Sequence, residues 1–201
     1  MLTITYQINN SIYVNVTNRC PCACTFCLRR NGDSVFGSDS LWLEREPTVK
    51  EVCDSINTWD LTKYDEVVFC GYGEPTERLN DILEVAALIR SKSDIKIRIN
   101  TNGLADLIWN ERTAQKFKGL IDTVSISLNA TNKEEYLKIV RPKFGIDSYD
   151  AMLRFAKDCT DCVPNVVMTV VDVVTSKEDI DSCRNICESI GATLRIRPYE
   201  S

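Results

Sequence analysis

Between Asn18 and Arg30 the chain reads Asn-Arg-Cys-Pro-Cys-Ala-Cys-Thr-Phe-Cys-Leu-Arg-Arg. Cys20, Cys24 and Cys27 have the spacing Cys-x3-Cys-x2-Cys, with Cys22 inside the loop. Thiolate sulfur is a soft donor that suits zinc or the irons of an iron–sulfur cluster. Three thiolates this close together can hold one face of a cubane and leave its fourth iron open. The same logic separates open catalytic zinc sites from closed structural ones. A fourth thiolate would fill the open position, so Cys22 is read as a non-ligand. The competing readings are a zinc site and spare thiols.

The rest of the composition narrows the chemistry. The 201 residues carry a formal net charge of -5, which gives no general attraction to nucleic acid or to anionic membranes. There is no histidine, which removes the usual acid–base group near neutral pH. Triad hydrolysis and His-ligated zinc catalysis are excluded on that ground. The first residues lack the basic and apolar regions of a signal peptide, and no apolar run approaches the ~18 residues that span a bilayer. A cytoplasmic location is therefore expected, where ten cysteines point to metal ligation or buried thiols rather than disulfides.

The elements that must position the cysteines follow from polarity patterns. Residues 2–8 and 11–16 alternate around Asn9-Asn10 and predict a β-hairpin whose second arm runs into the cysteine loop. Residues 31–40 are rich in Gly, Ser and Asp and predict a loop. Thr48 opens a helical pattern with Val49, Val52, Ile56 and Trp59 on one face, and Thr48-x-x-Glu51 has the form of a capping box. Strand-like runs then recur at Glu66–Cys70, Ile95–Asn100, Thr123–Leu128, Val166–Val173 and Thr193–Arg197. Helical stretches alternate with them at 77–92, 111–118, 132–140, 148–159 and 177–190. This alternation predicts an α/β fold with right-handed crossovers and a parallel sheet. Near-continuous apolar runs suit strands covered on both faces. With the strand before Cys20 there are six βα units, too few for a closed eight-stranded barrel. One domain is expected over residues 1–201.

Parallel α/β folds place ligand sites at the C-terminal ends of their strands. Four such ends carry polar or special residues: the cysteine loop, Gly71-Tyr-Gly-Glu-Pro-Thr76, Asn100-Thr-Asn-Gly103 and Ser127-Leu-Asn129.

Together these motifs resemble the radical S-adenosylmethionine enzymes. The cysteine spacing, with Phe26 just before the last thiol, matches that superfamily's cluster loop. Gly71-Tyr72-Gly73-Glu74-Pro75 resembles its Gly-Gly-Glu-Pro turn, with Tyr72 departing from the commoner form. The similarity spans essentially the whole chain and implies a partial (β/α)6 barrel, open on one side and preceded by a short N-terminal β-hairpin arm, with no C-terminal auxiliary-cluster domain. Phe69–Thr76, Arg98–Gly103, Ser125–Ala130 and Arg195–Glu200 narrow the likeness to the small stand-alone group named for association with TatD-family nucleases.

The resemblance implies a 4Fe-4S cluster on Cys20, Cys24 and Cys27, with S-adenosylmethionine bound at its open iron. It implies that Gly71, Gly73, Glu74 and Pro75 meet the amino group of that cofactor, glycine allowing close approach and Glu74 accepting from the ammonium. Asn100 and Asn102 belong to the same set. Arg141, in Arg141-Pro142-Lys143-Phe144-Gly145, matches an arginine that binds the cofactor carboxylate in several members. Ser127 and Asn129 are expected near the ribose hydroxyls. Phe26, Val171 and the Ile196–Arg197 backbone are expected near the adenine.

The implied activity is reductive cleavage of S-adenosylmethionine to a 5′-deoxyadenosyl radical that abstracts hydrogen from a substrate. A reductant such as flavodoxin or ferredoxin is the implied partner. A small molecule and a protein or RNA segment stay open as substrates, and a non-enzymatic metal-binding module is the third reading. Cys159, Cys162, Cys183 and Cys187 form a second four-thiol set, for which core packing and a second metal are the two readings. Cys53 and Cys70 are assigned to the core.

Overall fold

The computed structural model describes residues 2–34, 37–172 and 176–198. Strands β1 (Thr5–Ile8) and β2 (Ser11–Val14) form the hairpin, turning at Asn9, whose φ of 51° is one that Asn tolerates. β3 (Glu66–Phe69), β4 (Lys96–Thr101), β5 (Thr123–Ser127), β6 (Asn165–Val171) and β7 (Thr193–Arg197) follow. They make one seven-stranded sheet in sequence order. β1 pairs antiparallel to β2, and every later pairing is parallel. This is a partial barrel of six parallel strands with an N-terminal hairpin arm. The run expected to reach Val173 ends at Val171, with Asp172 in a turn, and Val173 lies outside the described residues.

The helices form where their caps direct. α1 (Val49–Ile56) begins with both arms of the capping box: Glu51 N–H donates to Thr48 Oγ1 at 3.2 Å, and Thr48 N–H donates to Glu51 Oε2 at 2.8 Å. α4 (Lys133–Val140) is capped by Asn132, and α6 (Lys177–Ile190) by Ser176. α5 (Ser148–Thr160) is the long helix between β5 and β6. Two expected helices are revised. The stretch at 77–92 starts as a 3-10 turn at Pro75–Arg78, and its α-helix is α2 (Leu79–Arg90). At 111–118 there is only a 3-10 turn, Ala114–Phe117. The α-helix of that crossover is the earlier α3 (Ala105–Trp109), stopped by Asn110 at φ 52°. Buried Asp106 accepts from Thr113 N and Oγ1 at 2.9 and 2.8 Å, which ties the chain into the tighter turn.

The two faces of the sheet differ in kind. Val67, Phe69, Ile97, Ile99, Val124, Ile126, Met168 and Val170 are fully buried in the apolar core. The alternate residues of the same strands face inward, because strand side chains alternate. Cys70, Asn100, Ser125, Ser127 and Thr169 line a cavity there. The strands are thus covered on one face by apolar packing and on the other present polar residues to a cavity, instead of meeting core on both.

Candidate functional site

The cysteine loop is fixed from both sides. Before it, Asn18 exchanges two hydrogen bonds with Leu43: Nδ2 donates to its carbonyl at 2.7 Å and Oδ1 accepts from its N–H at 3.1 Å. Thr17 Oγ1 donates to Glu46 at 2.5 Å. Within it, Ala23 N–H donates to Val140 O at 3.1 Å, Thr25 N–H to Ile139 O at 2.9 Å, and Lys143 N–H to Pro21 O at 2.8 Å. Cys22 and Pro142 form an isolated antiparallel bridge. The loop's backbone is therefore satisfied by the end of α4, which leaves its side chains free to project elsewhere.

Cys20, Cys24 and Cys27 are partly exposed and line the cavity, whereas Cys22 is buried and does not. The proximity of the three thiols draws Cys20 and Cys24 down from the ordinary thiol range and, with burial, pushes Cys22 up. Asn102 Nδ2 reaches toward Cys22 Sγ at 3.6 Å and Cys20 Sγ at 4.0 Å. Among the described residues, no three His, Cys, Asp or Glu side chains converge on a single metal ion. In a cubane each thiolate binds a different iron, so its ligand set does not require that convergence. Three thiols on one cavity and a fourth turned away fit a cluster with an open iron.

The Gly71–Pro75 turn packs against the entry to this loop. A Cβ on Gly73 would lie 2.3 Å from Thr17 O and 2.6 Å from Arg19 O, and one on Gly71 would lie 2.0 Å from Asn15 Oδ1. The glycines here admit the protein's own chain, which brings Glu74 N–H within 2.8 Å of Arg19 O. Glu74 is 4% exposed. Its Oε1 accepts from Thr76 N at 3.1 Å, Thr76 Oγ1 at 2.7 Å and Thr101 Oγ1 at 2.6 Å, and its Oε2 accepts from Asn102 N at 2.7 Å. Burial pushes its carboxyl up while these four donors oppose the shift. A carboxylate offers about four acceptor positions, two on each oxygen, so only Oε2 retains one. Glu74 is first a brace between the ends of β3 and β4.

The cavity has a volume of about 420 Å³, within the ~300–1,000 Å³ usual for small-ligand sites. Phe26, Gly71, Gly73, Glu74, Asn100, Asn102 and Ser127 line it with the three thiols, as do Val171 and Arg197. Pro75, Asn129, Arg141 and Ile196 do not. Pro75 starts the 3-10 turn behind Glu74. Asn129 is buried at φ 57°, with its Oδ1 lacking a hydrogen-bond partner among the described residues, an orphan acceptor beside the end of β5. Arg141 ends α4 at φ 51° with its side chain exposed and Nε donating to Lys138 O at 3.3 Å. Its backbone carbonyl accepts from Ala23 N–H at 3.3 Å, so its segment holds the cysteine loop.

Cys70 is a correction: its thiol lines the cavity instead of joining the core. Burial pushes the thiol up, with a hydrogen bond to Asn100 and the Arg98 and Arg197 charges acting against it. Val-Val-Phe-Cys reads as one apolar run, which hides the alternation that turns Cys70 inward. Ser125, Thr169 and Arg195 also line the chamber unforeseen. The signal for them was the polar residue at every second strand position. The second cysteine set lies elsewhere: Cys159, Cys183 and Cys187 are at most 1% exposed in the core, and Cys162 Sγ donates to Ala114 O at 3.1 Å.

Comparison with known proteins agrees with this geometry. Residues 14–187 match the sequence model of the Radical SAM superfamily. The chain belongs to that superfamily, which implies a 4Fe-4S cluster and S-adenosylmethionine. It is 24% identical over 192 residues to GTP 3′,8-cyclase 2 of Mycobacterium bovis, covering 94% of this chain and 50% of the cyclase. A probable GTP 3′,8-cyclase of Methanocaldococcus jannaschii is 27% identical over 188 residues, covering 92% of this chain and 57% of that one. The chain thus spans about half the length of these relatives. In fold, it superposes on Streptococcus suis SuiB bound to precursor peptide SuiA with a TM-score of 0.70 at 16% identity, covering 95% of this chain and 39% of SuiB. A radical SAM methyltransferase from Sphaerobacter thermophilus gives 0.64 at 17%, covering 96% and 57%.

Proposed function

We propose that this chain is a radical S-adenosylmethionine enzyme whose cluster is held by Cys20, Cys24 and Cys27. The observation that carries the reading is the arrangement of four neighbouring thiols, three on the cavity and one withdrawn from it. When bound, the reduced cluster and S-adenosylmethionine supply an electron and a carbon-centred radical for hydrogen abstraction. The protein's residues do the rest. The end of α4 holds the cysteine loop in place, and Asn102 ties that loop to the end of β4. Glu74 locks the ends of β3 and β4 together and keeps one acceptor position on Oε2 for an ammonium. Ser127 and the orphan Oδ1 of Asn129 offer polar groups at the end of β5 for ribose hydroxyls. Phe26 and Val171 give apolar surface for an adenine. The Arg141 segment acts through the loop it supports.

Within the superfamily we assign the chain to the small TatD-associated group, on the four segments that carry that likeness. An electron donor of the flavodoxin or ferredoxin kind is the expected partner. No helix among the described residues is long and apolar enough to cross a membrane.

The test is anaerobic reconstitution with iron and sulfide, then dithionite and S-adenosylmethionine. About four irons per chain and release of 5′-deoxyadenosine and methionine are expected. Zinc in place of iron, or a cluster to which S-adenosylmethionine does not bind, would turn the reading to a metal-binding module.

A further inference from the structure

The charged residues lining the cavity are Arg29, Glu74, Arg195 and Arg197. Two of them are engaged. Glu74 serves four donors, and Arg29 donates to Asn18 O at 3.0 Å while lying over the Trp42 ring at 5.6 Å. Beneath them, Arg98 is held by both oxygens of Glu66, at 3.0 and 2.6 Å, and donates to Asn100 Oδ1 at 2.8 Å. Arg195 and Arg197 differ. Neither guanidinium has an ion pair or hydrogen bond among the described residues, and the Nε of Arg197 is shielded from solvent with no acceptor.

They stand two apart on β7, hence on one face, roughly 6–7 Å from Cα to Cα. Their register partners on β6, Thr169 and Val171, also line the cavity. Burial, followed by the neighbouring Arg98 and Arg197 charges, holds Arg195 below the ordinary arginine range. Arginine does not discharge in proteins, so the repulsion between these cations persists until an anion relieves it. Two guanidiniums with no hydrogen-bonded carboxylate among the described residues thus line the cavity, Arg195 exposed to solvent and Arg197 partly buried. Guanidinium matches phosphate oxygens bidentately, and two of them match the double charge of a phosphate group.

We propose that Arg195 and Arg197 anchor the substrate, and that the substrate carries a phosphate group. The word substrate rests on the radical-enzyme reading above; the anion site itself does not. S-adenosylmethionine brings a carboxylate of its own, so the experiment separates the two anions.

Inorganic pyrophosphate is titrated into the full chain by calorimetry, with succinate and S-adenosylmethionine in parallel. Expected is saturable pyrophosphate binding, tighter than succinate, that weakens at least tenfold in Arg195→Ala/Arg197→Ala. It should weaken less in Arg195→Lys/Arg197→Lys, which keeps both charges but not the bidentate fork, and stay unchanged in Arg154→Ala, an exposed position on α5. Absence of pyrophosphate binding, equal binding of succinate, or undiminished binding in the Ala double variant would overturn the proposal. Loss of S-adenosylmethionine binding with pyrophosphate binding intact would overturn it too, assigning the pair to the cofactor carboxylate. The Lys/Lys variant guards against misfolding, since it keeps the charges and most of the side-chain volume. Pyrophosphate binding by a chain that forms no cluster would leave an anion site and remove its role as a substrate site.

Discussion

The chain holds two sets of four cysteines with similar spacing and opposite surroundings. Cys20, Cys22, Cys24 and Cys27 lie on a loop after a strand, and three of them open onto the chamber. Cys159, Cys162, Cys183 and Cys187 lie on or beside α5 and α6, packed against the outer face of the sheet. Nothing in Cys-x2-Cys or Cys-x3-Cys distinguishes them. What separates them is the backbone underneath. A loop at a strand's C-terminal end, paired through its own amides to the end of α4, can aim thiols at a cavity. A helix face buried in an apolar core uses a thiol as a small hydrophobe.

The sharpest way to break this comparison is to exchange losses between the sets. Cys20→Ala, Cys24→Ala and Cys27→Ala are each expected to abolish the iron-dependent visible absorbance and all 5′-deoxyadenosine release. Cys183→Ala/Cys187→Ala should retain the full iron and sulfide of the parent chain. Iron and acid-labile sulfide assays, with circular dichroism to verify folding, read both outcomes. A folded Cys183→Ala/Cys187→Ala chain that lost iron would erase the distinction.

A smaller effect tests whether the first set depends on backbone contact rather than on its sulfurs alone. In Gly73→Ala the new Cβ would meet Thr17 O and Arg19 O, both backbone atoms one to three residues before Cys20. Relief requires moving the entry to the loop, so destabilisation of about 1–3 kcal/mol is expected. At ~2–4 °C per kcal/mol for a chain of this size, the melting midpoint falls by several degrees, and iron loading falls with it. Gly32→Ala, with open space around its Cβ, should change neither. Wild-type iron loading in Gly73→Ala would mean that the turn and the cysteine loop are uncoupled.

These two experiments also mark what the sequence made legible. The helix at Lys177–Ile190 and the strand at Thr193–Arg197 have their expected limits, and the structure shows the Ser176 cap and the left-handed Gly191 that bound the helix. The strand-end rule brought Cys20, Glu74, Asn102 and Ser127 to one cavity. Contacts between distant segments were not legible. That Arg141 supports the cysteine loop from behind depends on α4 ending beside Pro21, which no local pattern encodes. Cys70 is hidden by its apolar neighbours in Val-Val-Phe-Cys, and Arg195 is an exposed strand residue whose side chain nonetheless lines the cavity. Both lie on the inner face, where a cavity replaces the expected core.

The last effect concerns the second set alone and runs through pH. Burial pushes the Cys183 thiol up to about 12 and Cys187 up to about 11, from an ordinary value of 9.0. Above pH 9 the unfolded chain therefore releases protons that the folded chain keeps. Protons bound in the folded state then exceed those in the unfolded state, so stability falls as pH rises, from about pH 9 until the folded thiols titrate near pH 11–12. The slope is at most about 1.4 kcal/mol per thiol per pH unit. Urea midpoints at pH 8 and pH 10 should show this loss in the parent and a flatter response in Cys183→Ala/Cys187→Ala. The same burial keeps these thiols protonated and shielded at pH 8. Iodoacetamide should then label the cavity cysteines of the iron-free chain well before Cys183 or Cys187. Equal labelling of the two sets in the folded chain would show that the helix-face thiols are not held in the core.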